Sequence, residues 1–138
     1  MNEFIKLLTK NDTGETGSGQ EGITIPKNPG LLKYFPKLDK TKKNPRRNIQ
    51  FIDDKHNFWD CSFVYYNNKY FNGTRDEYRL SGTKSFIKNY NLRANDKIIF
   101  SRDLNGRRKI NYEKSINTNN IENIIRISSN WKERRVRL

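Results

Sequence analysis

The chain has 138 residues, and its 28 lysines and arginines outnumber 15 aspartates and glutamates, which gives a formal net charge of +13. A surplus of this size favours binding to polyanions, although a basic surface can also serve solubility alone. The single cysteine excludes an internal disulfide and a multi-cysteine zinc site, and the single histidine excludes a histidine-based metal cluster. No apolar run reaches spanning length and no secretion signal is visible, so we expect a cytoplasmic protein without a membrane partner and without a cofactor. Aromatic residues make up 12% of the chain and supply the core of one folded domain, residues 1–138.

The first 36 residues predict two strands and a short helix. Residues 3–10 ("EFIKLLTK") form the first predicted strand, and residues 23–26 form the second, which Pro26 ends. The polar loop between them, residues 11–22, contains four glycines. It is longer than a hairpin between paired strands needs, and we therefore expect it to be functional. Asn28 as cap, Pro29 in the first turn and Pro36 at the end predict the helix.

The middle of the chain is a basic loop followed by aromatic strands. The loop, residues 37–47, sets six cations against Asp39: Lys37, Lys40, Lys42, Lys43, Arg46 and Arg47. These cations are either phosphate contacts or simply solvated charge. Residues 48–52 and 58–67 predict two strands, and residues 71–82 follow as a turn and an extended segment.

The C-terminal part begins with a predicted helix over residues 82–91, with Phe86, Ile87 and Tyr90 on one face. Residues 96–103 and 107–114 then predict a hairpin. Residues 121–129 suit a strand or a helix, and residues 131–138 read as a basic tail. Many short strands with two or three short helices indicate a mainly β fold, an open barrel or a relative of one.

Catalytic signals are sparse. No nucleophile motif surrounds a serine or Cys61, and the glycine loop lacks the Gly-Lys-Ser/Thr ending of a Walker motif. Asp53 and Lys55, with Asp39 upstream, leave one alternative open, a small magnesium-dependent nuclease. The competing interpretation of the same residues is a polar turn at a strand end.

A ladder of alternating charges offers a binding chemistry instead. Arg75, Glu77 and Arg79 occupy every second position, so in an extended chain they project from one face. An arginine fork spans the two acceptors of guanine in the major groove, and a carboxylate accepts the amino group of cytosine. The alternative, equally open from the pattern, is an exposed ion-pair ladder of little energetic value.

Two flexible segments add groups that suit a nucleic acid. The turn Asn72-Gly73-Thr74 allows close approach of the backbone, and its polar side chains can bond a phosphate. The loop over residues 11–22 offers free amides and small polar side chains, namely Asn11, Thr13, Thr16, Ser18 and Gln20. Lys6 and Lys10 are either phosphate contacts or solvated charges.

Two stretches, "KLLTKNDTGETGSGQEGITIP" and "YYNNKYFNGTRDEYRL", together resemble the N-terminal DNA-binding domain of EcoRII-type restriction endonucleases. A third, "FIKNYNLRANDKIIF", is similar to the helix-then-strand signature of plant B3 transcription-factor domains, with Asn95 where those domains usually have glycine. These likenesses cover most of residues 4–103, and both families share a pseudobarrel fold.

The resemblance implies a seven-stranded open pseudobarrel that grips the major groove with an N-arm, residues 6–24, and a C-arm, residues 69–79. Lys6 becomes an N-arm contact, and the charge ladder supplies the base readers. Within the two arms the implied DNA-binding residues are Lys6, Lys10, Asn11, Asp12, Thr13, Thr16, Ser18, Gly19, Gln20, Lys69, Asn72, Gly73, Thr74, Arg75, Asp76, Glu77, Tyr78 and Arg79.

Several positions depart from the family's pattern. Gly19 replaces a histidine, Thr24 a tyrosine, and Gly73 and Tyr78 each a lysine, while Lys69 stands for an arginine. The resemblance further implies the target 5′-CC(A/T)GG, a nuclease domain in the same parent chain, and a monomeric reader without a catalytic site. A basic module that binds nucleic acid without sequence preference is the remaining alternative.

Overall fold

The computed structural model describes residues 2–17, 22–115, 124–128 and 130–135. Within them, one curled sheet of nine strands forms an open half-barrel in the order β2-β5-β4-β3-β7-β6-β1-β9-β8. The strands are β1 Asn2–Leu7, β2 Ile23–Ile25, β3 Arg46–Ile52, β4 Phe58–Tyr66, β5 Glu77–Ser81, β6 Lys97–Arg102, β7 Arg108–Glu113, β8 Ile124–Ser128 and β9 Trp131–Arg135. The helices are α1 Lys10–Thr13, α2 Pro29–Tyr34 and α3 Thr83–Asn89, with a 3₁₀ helix at Asn68–Phe71.

The predicted mainly β class is confirmed, but the count of seven strands is wrong. The two additional strands, β8 and β9, pair with each other, and β9 also pairs with β1. Residues 131–138 were expected to form a basic tail, whereas Trp131 is only 2% exposed and its ring stacks on Phe100 at 5.7 Å. Its indole N–H donates to the carbonyl of Thr24 at 3.2 Å. One buried tryptophan thus fixes this segment to the sheet.

The loop after β1 does not join paired strands, which corrects a second expectation. β1 pairs with β6 and β9, whereas β2 pairs with β5. The first strand also ends at Leu7 instead of residue 10, because Thr9 caps α1. The Thr9 hydroxyl accepts from the Asp12 amide, and the Asp12 carboxylate accepts from the Thr9 amide, so the two residues form a capping box.

Elements with strong local signals lie where the sequence predicts them. The Asn28 side chain caps α2 by accepting from the Leu31 amide at 3.0 Å. Phe86 and Ile87 bury the inner face of α3. The hairpin β6–β7 is confirmed, and residues 124–128 are a strand. Asn95 has a φ of +79°, a left-handed conformation that explains a glycine at this position in similar domains.

Strands β2, β5, β4 and β3 present two opposite faces. Their inner face joins a core of stacked rings that includes Phe35, Phe63 and Tyr78. We call the other side of these four strands the outer face. Register partners share a face, so the row Thr24, Arg79, Val64 and Arg46 runs across it. The helices in the described part of the chain have at most seven residues, and none is long or apolar enough to cross a membrane.

Candidate nucleic-acid interface

The connection between β4 and β5 is a closed unit built around Asn68. The Asn68 side-chain oxygen accepts from the Arg75 amide at 2.6 Å, and the Asn68 carbonyl accepts from the Gly73 amide at 2.7 Å. The Lys69 amide donates to the carbonyl of Arg75 at 2.9 Å. Asn72 ends the 3₁₀ helix in the left-handed conformation, with a φ of +68°. The segment that the resemblance assigns to the C-arm therefore has a defined backbone.

Gly73 and two aromatic residues define the tip of this connection. A Cβ at Gly73 would lie 2.7 Å from the Cγ of Asn68 and 2.9 Å from its carbonyl oxygen, so a larger residue requires the turn to shift. Tyr70 is 66% exposed and Phe71 38% exposed, and Asn72 and Thr74 are also exposed. The tip presents polar and aromatic groups to solvent.

The charge ladder is assembled around Glu77. The Arg75 Nε lies 2.7 Å from one carboxylate oxygen of Glu77, and the Arg79 Nη1 lies 3.8 Å from the other. The Arg75 guanidinium also lies over the ring of Tyr66, 3.7 Å from its centroid. The structure thus brings the three predicted readers together, although Arg75 precedes β5 and only the other two belong to the strand. The side chains of Arg75 and Glu77 are 44% and 32% exposed.

Arg79 connects the two predicted arms. Its Nη1 donates to the Thr24 hydroxyl at 2.9 Å, and its Nη2 donates to the Gly22 carbonyl at 3.1 Å. Gly22 has a φ of +73°, and a Cβ there would lie 2.0 Å from the Leu80 carbonyl oxygen. Only glycine allows this approach, which places the end of the predicted N-arm against the strand that carries Glu77.

Two other residues of the predicted C-arm have internal roles. Tyr78 is 6% exposed and stacks on Tyr65 with ring centroids 4.2 Å apart. Asp76 pairs with the ammonium of Lys27 at 2.6 Å and accepts from the Tyr65 hydroxyl at 2.6 Å. The bonds from Lys27 and Tyr65 lower the pKa of Asp76. Lys69 is a more distant partner of the same carboxylate, at 3.9 Å.

The predicted N-arm begins with a buried ion pair. Lys6 is 4% exposed, and its ammonium lies 3.0 Å from the Asp12 carboxylate and 3.1 Å from the Leu7 carbonyl. Lys6 and Asp12 therefore hold α1 against β1 and do not project into solvent.

The remaining N-arm residues are more open. Lys10 is exposed, and its carbonyl accepts from the Thr13 hydroxyl at 3.2 Å. The Thr16 hydroxyl donates to the Asn11 side chain at 3.2 Å, at the start of the glycine loop. Three predicted residues, Ser18, Gly19 and Gln20, lie outside the described residues.

The sequence reasoning missed Tyr66 and Asn68. Tyr66 is the last residue of β4 and the register partner of Glu77, so it lies beside the ladder on the outer face. Alternation along β4 places it there, but only the pairing of β4 with β5 reveals the contact. Asn68 carried no sequence signal beyond its place before an Asn-Gly turn.

The alternative catalytic residues belong to an internal turn. Asp53 is 3% exposed, and its carboxylate accepts from the amides of Lys55 and Asn57, the Trp59 indole and the Tyr90 hydroxyl. Burial raises the pKa of Asp53, but these hydrogen bonds more than offset it, so the pKa lies below its ordinary value of 3.8.

Asp39 lies in a separate turn, where it accepts from the amide and hydroxyl of Thr41. No group of three or more His, Cys, Asp or Glu residues in the described part of the chain could hold a metal ion. The residues of the nuclease alternative are therefore engaged in separate polar turns.

Comparisons with known proteins agree with this architecture. This chain superposes on a chain of the Arabidopsis FUS3–DNA complex with a TM-score of 0.61 and 21% sequence identity. The matched region covers 81% of this chain and 96% of the FUS3 chain. The predicted B3-like fold is thereby confirmed. The type II restriction enzyme EcoRII of Escherichia coli is 37% identical over 82 residues, 56% of this chain and 20% of the enzyme.

The match to EcoRII therefore spans about a fifth of that enzyme's length. The family model described as restriction endonuclease EcoRII, N-terminal, matches residues 1–95, which is more than half of the chain. The chain belongs to the EcoRII N-terminal domain family.

Proposed function

We propose that this domain recognises a specific sequence in double-stranded DNA by inserting its N-arm and C-arm into the major groove. The observation that carries the proposal is the Glu77 carboxylate, partly exposed and held between Arg75 and Arg79 on the outer face of a strongly basic protein. The similar FUS3 chain was solved in complex with DNA, and the similar EcoRII is a restriction enzyme, which supports a DNA-reading role.

The chemistry of the ladder suits a site that contains C·G pairs. Phosphate repels a carboxylate, so an acidic group in a basic surface is useful where a base amino group can hydrogen-bond to it. Cytosine offers that amino group in the major groove, and its guanine partner offers two acceptors for an arginine fork. Glu77 with the exposed Arg75 can therefore complement one C·G pair, whereas Arg79 is 8% exposed.

The ion pairs within the ladder are compatible with this role. An exposed ion pair contributes about 0–1 kcal/mol to stability. Arg75 and Glu77 can therefore break their ion pair and bind base edges instead at a small cost in free energy. The stack on Tyr66 holds the Arg75 guanidinium near the carboxylate before DNA arrives. Arg79 is anchored by Thr24 and Gly22 and orients Glu77 from the other side.

The other arm residues divide by their surroundings. The exposed residues around the two loops suit phosphate and sugar contacts, as do the half-buried Asn11 and Thr13; the exposed ones are Lys10, Thr16, Lys69, Asn72, Gly73 and Thr74. Ser18, Gly19 and Gln20 join them by resemblance. The internal contacts of Lys6 with Asp12, and of Asp76 and Tyr78 with Tyr65, give these residues a role in holding the arms.

The target, by resemblance, is 5′-CC(A/T)GG, and the domain acts as a monomeric reader for a nuclease domain in the same polypeptide. A competition titration at physiological salt tests this. We expect a duplex that carries CC(A/T)GG to outcompete a scrambled duplex of equal composition by about a thousandfold or more.

Equal competition would contradict the proposed target. Selection from random duplexes then separates a reader of another site from a basic module that binds every sequence alike. A plasmid-nicking assay with magnesium tests the nuclease alternative, for which cutting must disappear in Asp53→Ala.

A further inference from the structure

The basic loop before β3 carries a concentration of unneutralised charge. Its cations are Lys37, Lys40, Lys42, Lys43, Arg46 and Arg47, and none of them forms an ion pair within residues 2–17, 22–115, 124–128 and 130–135. The one carboxylate of the loop, Asp39, accepts from Thr41 instead. Lys42, Lys43 and Arg46 are all exposed. The charge of Lys42 helps to lower the pKa of Asp39, but this single carboxylate offsets only a small part of the six positive charges. Most of the surplus is therefore available to an external anion.

The loop is fixed to the base of the C-arm. Asn67 is 1% exposed, and its side-chain amide donates to the Lys42 carbonyl at 2.9 Å while its oxygen accepts from the Asn44 amide at 2.7 Å. The Tyr65 amide also donates to the carbonyl of Pro45 at 3.0 Å. Since Asn67 directly precedes the 3₁₀ helix of the C-arm, one buried side chain fixes the loop backbone relative to the ladder.

The register places Arg46 on the same face as the ladder. Arg46 pairs with Val64, and Val64 pairs with Arg79, so the three residues form one row across the sheet. Neighbouring strands lie about 4.8 Å apart, which puts the Cα atoms of Arg46 and Arg79 about 10 Å apart. A duplex seated at Glu77 would extend well past that distance, and each of its strands carries one phosphate about every 3.4 Å of helix axis.

We infer that Arg46, on the outer face, forms a phosphate-binding flank together with Lys42 and Lys43 in the loop that precedes it, and that this flank contacts the DNA backbone outside the two arms. The inference rests on the proposed function. Exposed cations without an ion-pair partner displace condensed counterions from a polyanion when they approach its phosphates. Because the flank contacts phosphates and no base, it strengthens binding to every sequence alike.

The test is the triple variant Lys42→Gln, Lys43→Gln and Arg46→Gln, titrated with target and scrambled duplexes over a range of salt concentrations. We expect the slope of log K against log salt to become shallower by about two to three units, near 0.9 for each lost phosphate contact. Both duplexes should weaken by the same factor, so the preference for the target stays unchanged.

The matched control removes three charges elsewhere: Lys33→Gln on α2, with Lys132→Gln and Arg135→Gln on β9. None of these residues forms an ion pair in the described ranges. An equal loss of slope in the control would overturn the flank, because net charge alone would then set affinity.

The two proposals fail separately. If the wild type prefers its target and the triple variant keeps the wild-type salt dependence of binding, the proposed phosphate contacts are wrong and the proposed sequence recognition is unaffected. If the wild type shows no preference but the flank variant alone loses slope, the phosphate contacts are supported and the reader is wrong.

Discussion

Asp53 follows the end of β3, and its carboxylate accepts four hydrogen bonds. Glu77 begins β5, and its carboxylate accepts one hydrogen bond from Arg75 and forms a longer ion pair with Arg79. The donors to Asp53 are all uncharged, and the carboxylate is enclosed by the Trp59 indole and the Tyr90 hydroxyl. Glu77 is 32% exposed by side chain, and its partners are the two guanidinium groups of Arg75 and Arg79.

The difference separates a structural carboxylate from one that can serve binding. A buried carboxylate with fixed neutral donors has no partner that it can exchange without a large loss. A carboxylate at the surface with cationic partners can exchange them for a ligand, because exposed ion pairs are weak. In the sequence Asp53 is a candidate catalytic carboxylate, but the contacts of its side chain are those of a structural turn.

The largest expected effect is on stability in Asp53→Ala. The change leaves four donors without their acceptor, so we expect the free energy of unfolding to fall by about 3 kcal/mol. Denaturant unfolding measures it, with Asp54→Ala as the control, since the Asp54 side chain is 72% exposed. An Asp53→Ala protein of wild-type stability would contradict the structural role.

The next effect is expected in Arg79→Lys, which keeps the charge but loses the fork. Its bonds to Thr24 and Gly22 cannot both be kept, so we expect about 1–2 kcal/mol less stability together with weaker target preference. Thr24→Val is the matched variant, since it removes only the hydroxyl acceptor. If Thr24→Val lowers the free energy of unfolding as much as Arg79→Lys does, the hydrogen bond from Arg79 to Gly22 contributes nothing to stability.

Tyr66→Leu should have a smaller effect. It removes the ring beneath Arg75, a cation–π contact of about 0.5–1 kcal/mol at an exposed site, so target preference should fall about two- to fivefold. Tyr66→Phe keeps the ring face and should keep the preference. Equal losses in the two variants would mean that the hydroxyl, not the ring, matters.

The smallest effect is expected in the pH dependence of stability. Because the folded pKa of Asp53 lies below its ordinary value of 3.8, its charged form stabilises the fold above that pH and loses this contribution as the pH falls through the folded pKa. The stability difference between wild type and Asp53→Asn should therefore narrow below pH 3.8. A difference that stays constant under acid conditions would contradict this linkage.

The sequence predicted the elements that short-range chemistry determines. Asn28 and Pro29 mark the start of α2, and two strand-like segments joined by a Leu-Asn-Gly turn mark the β6–β7 hairpin. Pairing between distant strands has no such local signal, so the β2–β5 and β1–β9 contacts were missed. The prediction of a basic tail at residues 131–138 was wrong because the pairing of β9 with β1 and the burial of Trp131 both depend on distant parts of the chain.

For the candidate site, too, the sequence predicts what depends on local spacing and does not predict what depends on tertiary packing. Alternation correctly suggested that Glu77 and Arg79 share a face, and the resemblance pointed to the two arms. The burial of Lys6 against Asp12, and the contact of Tyr66 with Arg75, depend on tertiary packing that no spacing in the sequence encodes.

The most direct test of the reader is the base preference of Glu77→Ala, measured by competition between the target duplex and duplexes with single base-pair changes. We expect a loss of about 1–3 kcal/mol, or about 5- to 150-fold, in discrimination at one C·G pair. Affinity for scrambled DNA should stay the same or rise, since a negative charge is removed from the interface. An unchanged preference for the target would show that Glu77 only forms ion pairs with Arg75 and Arg79, and it would contradict the proposed base recognition.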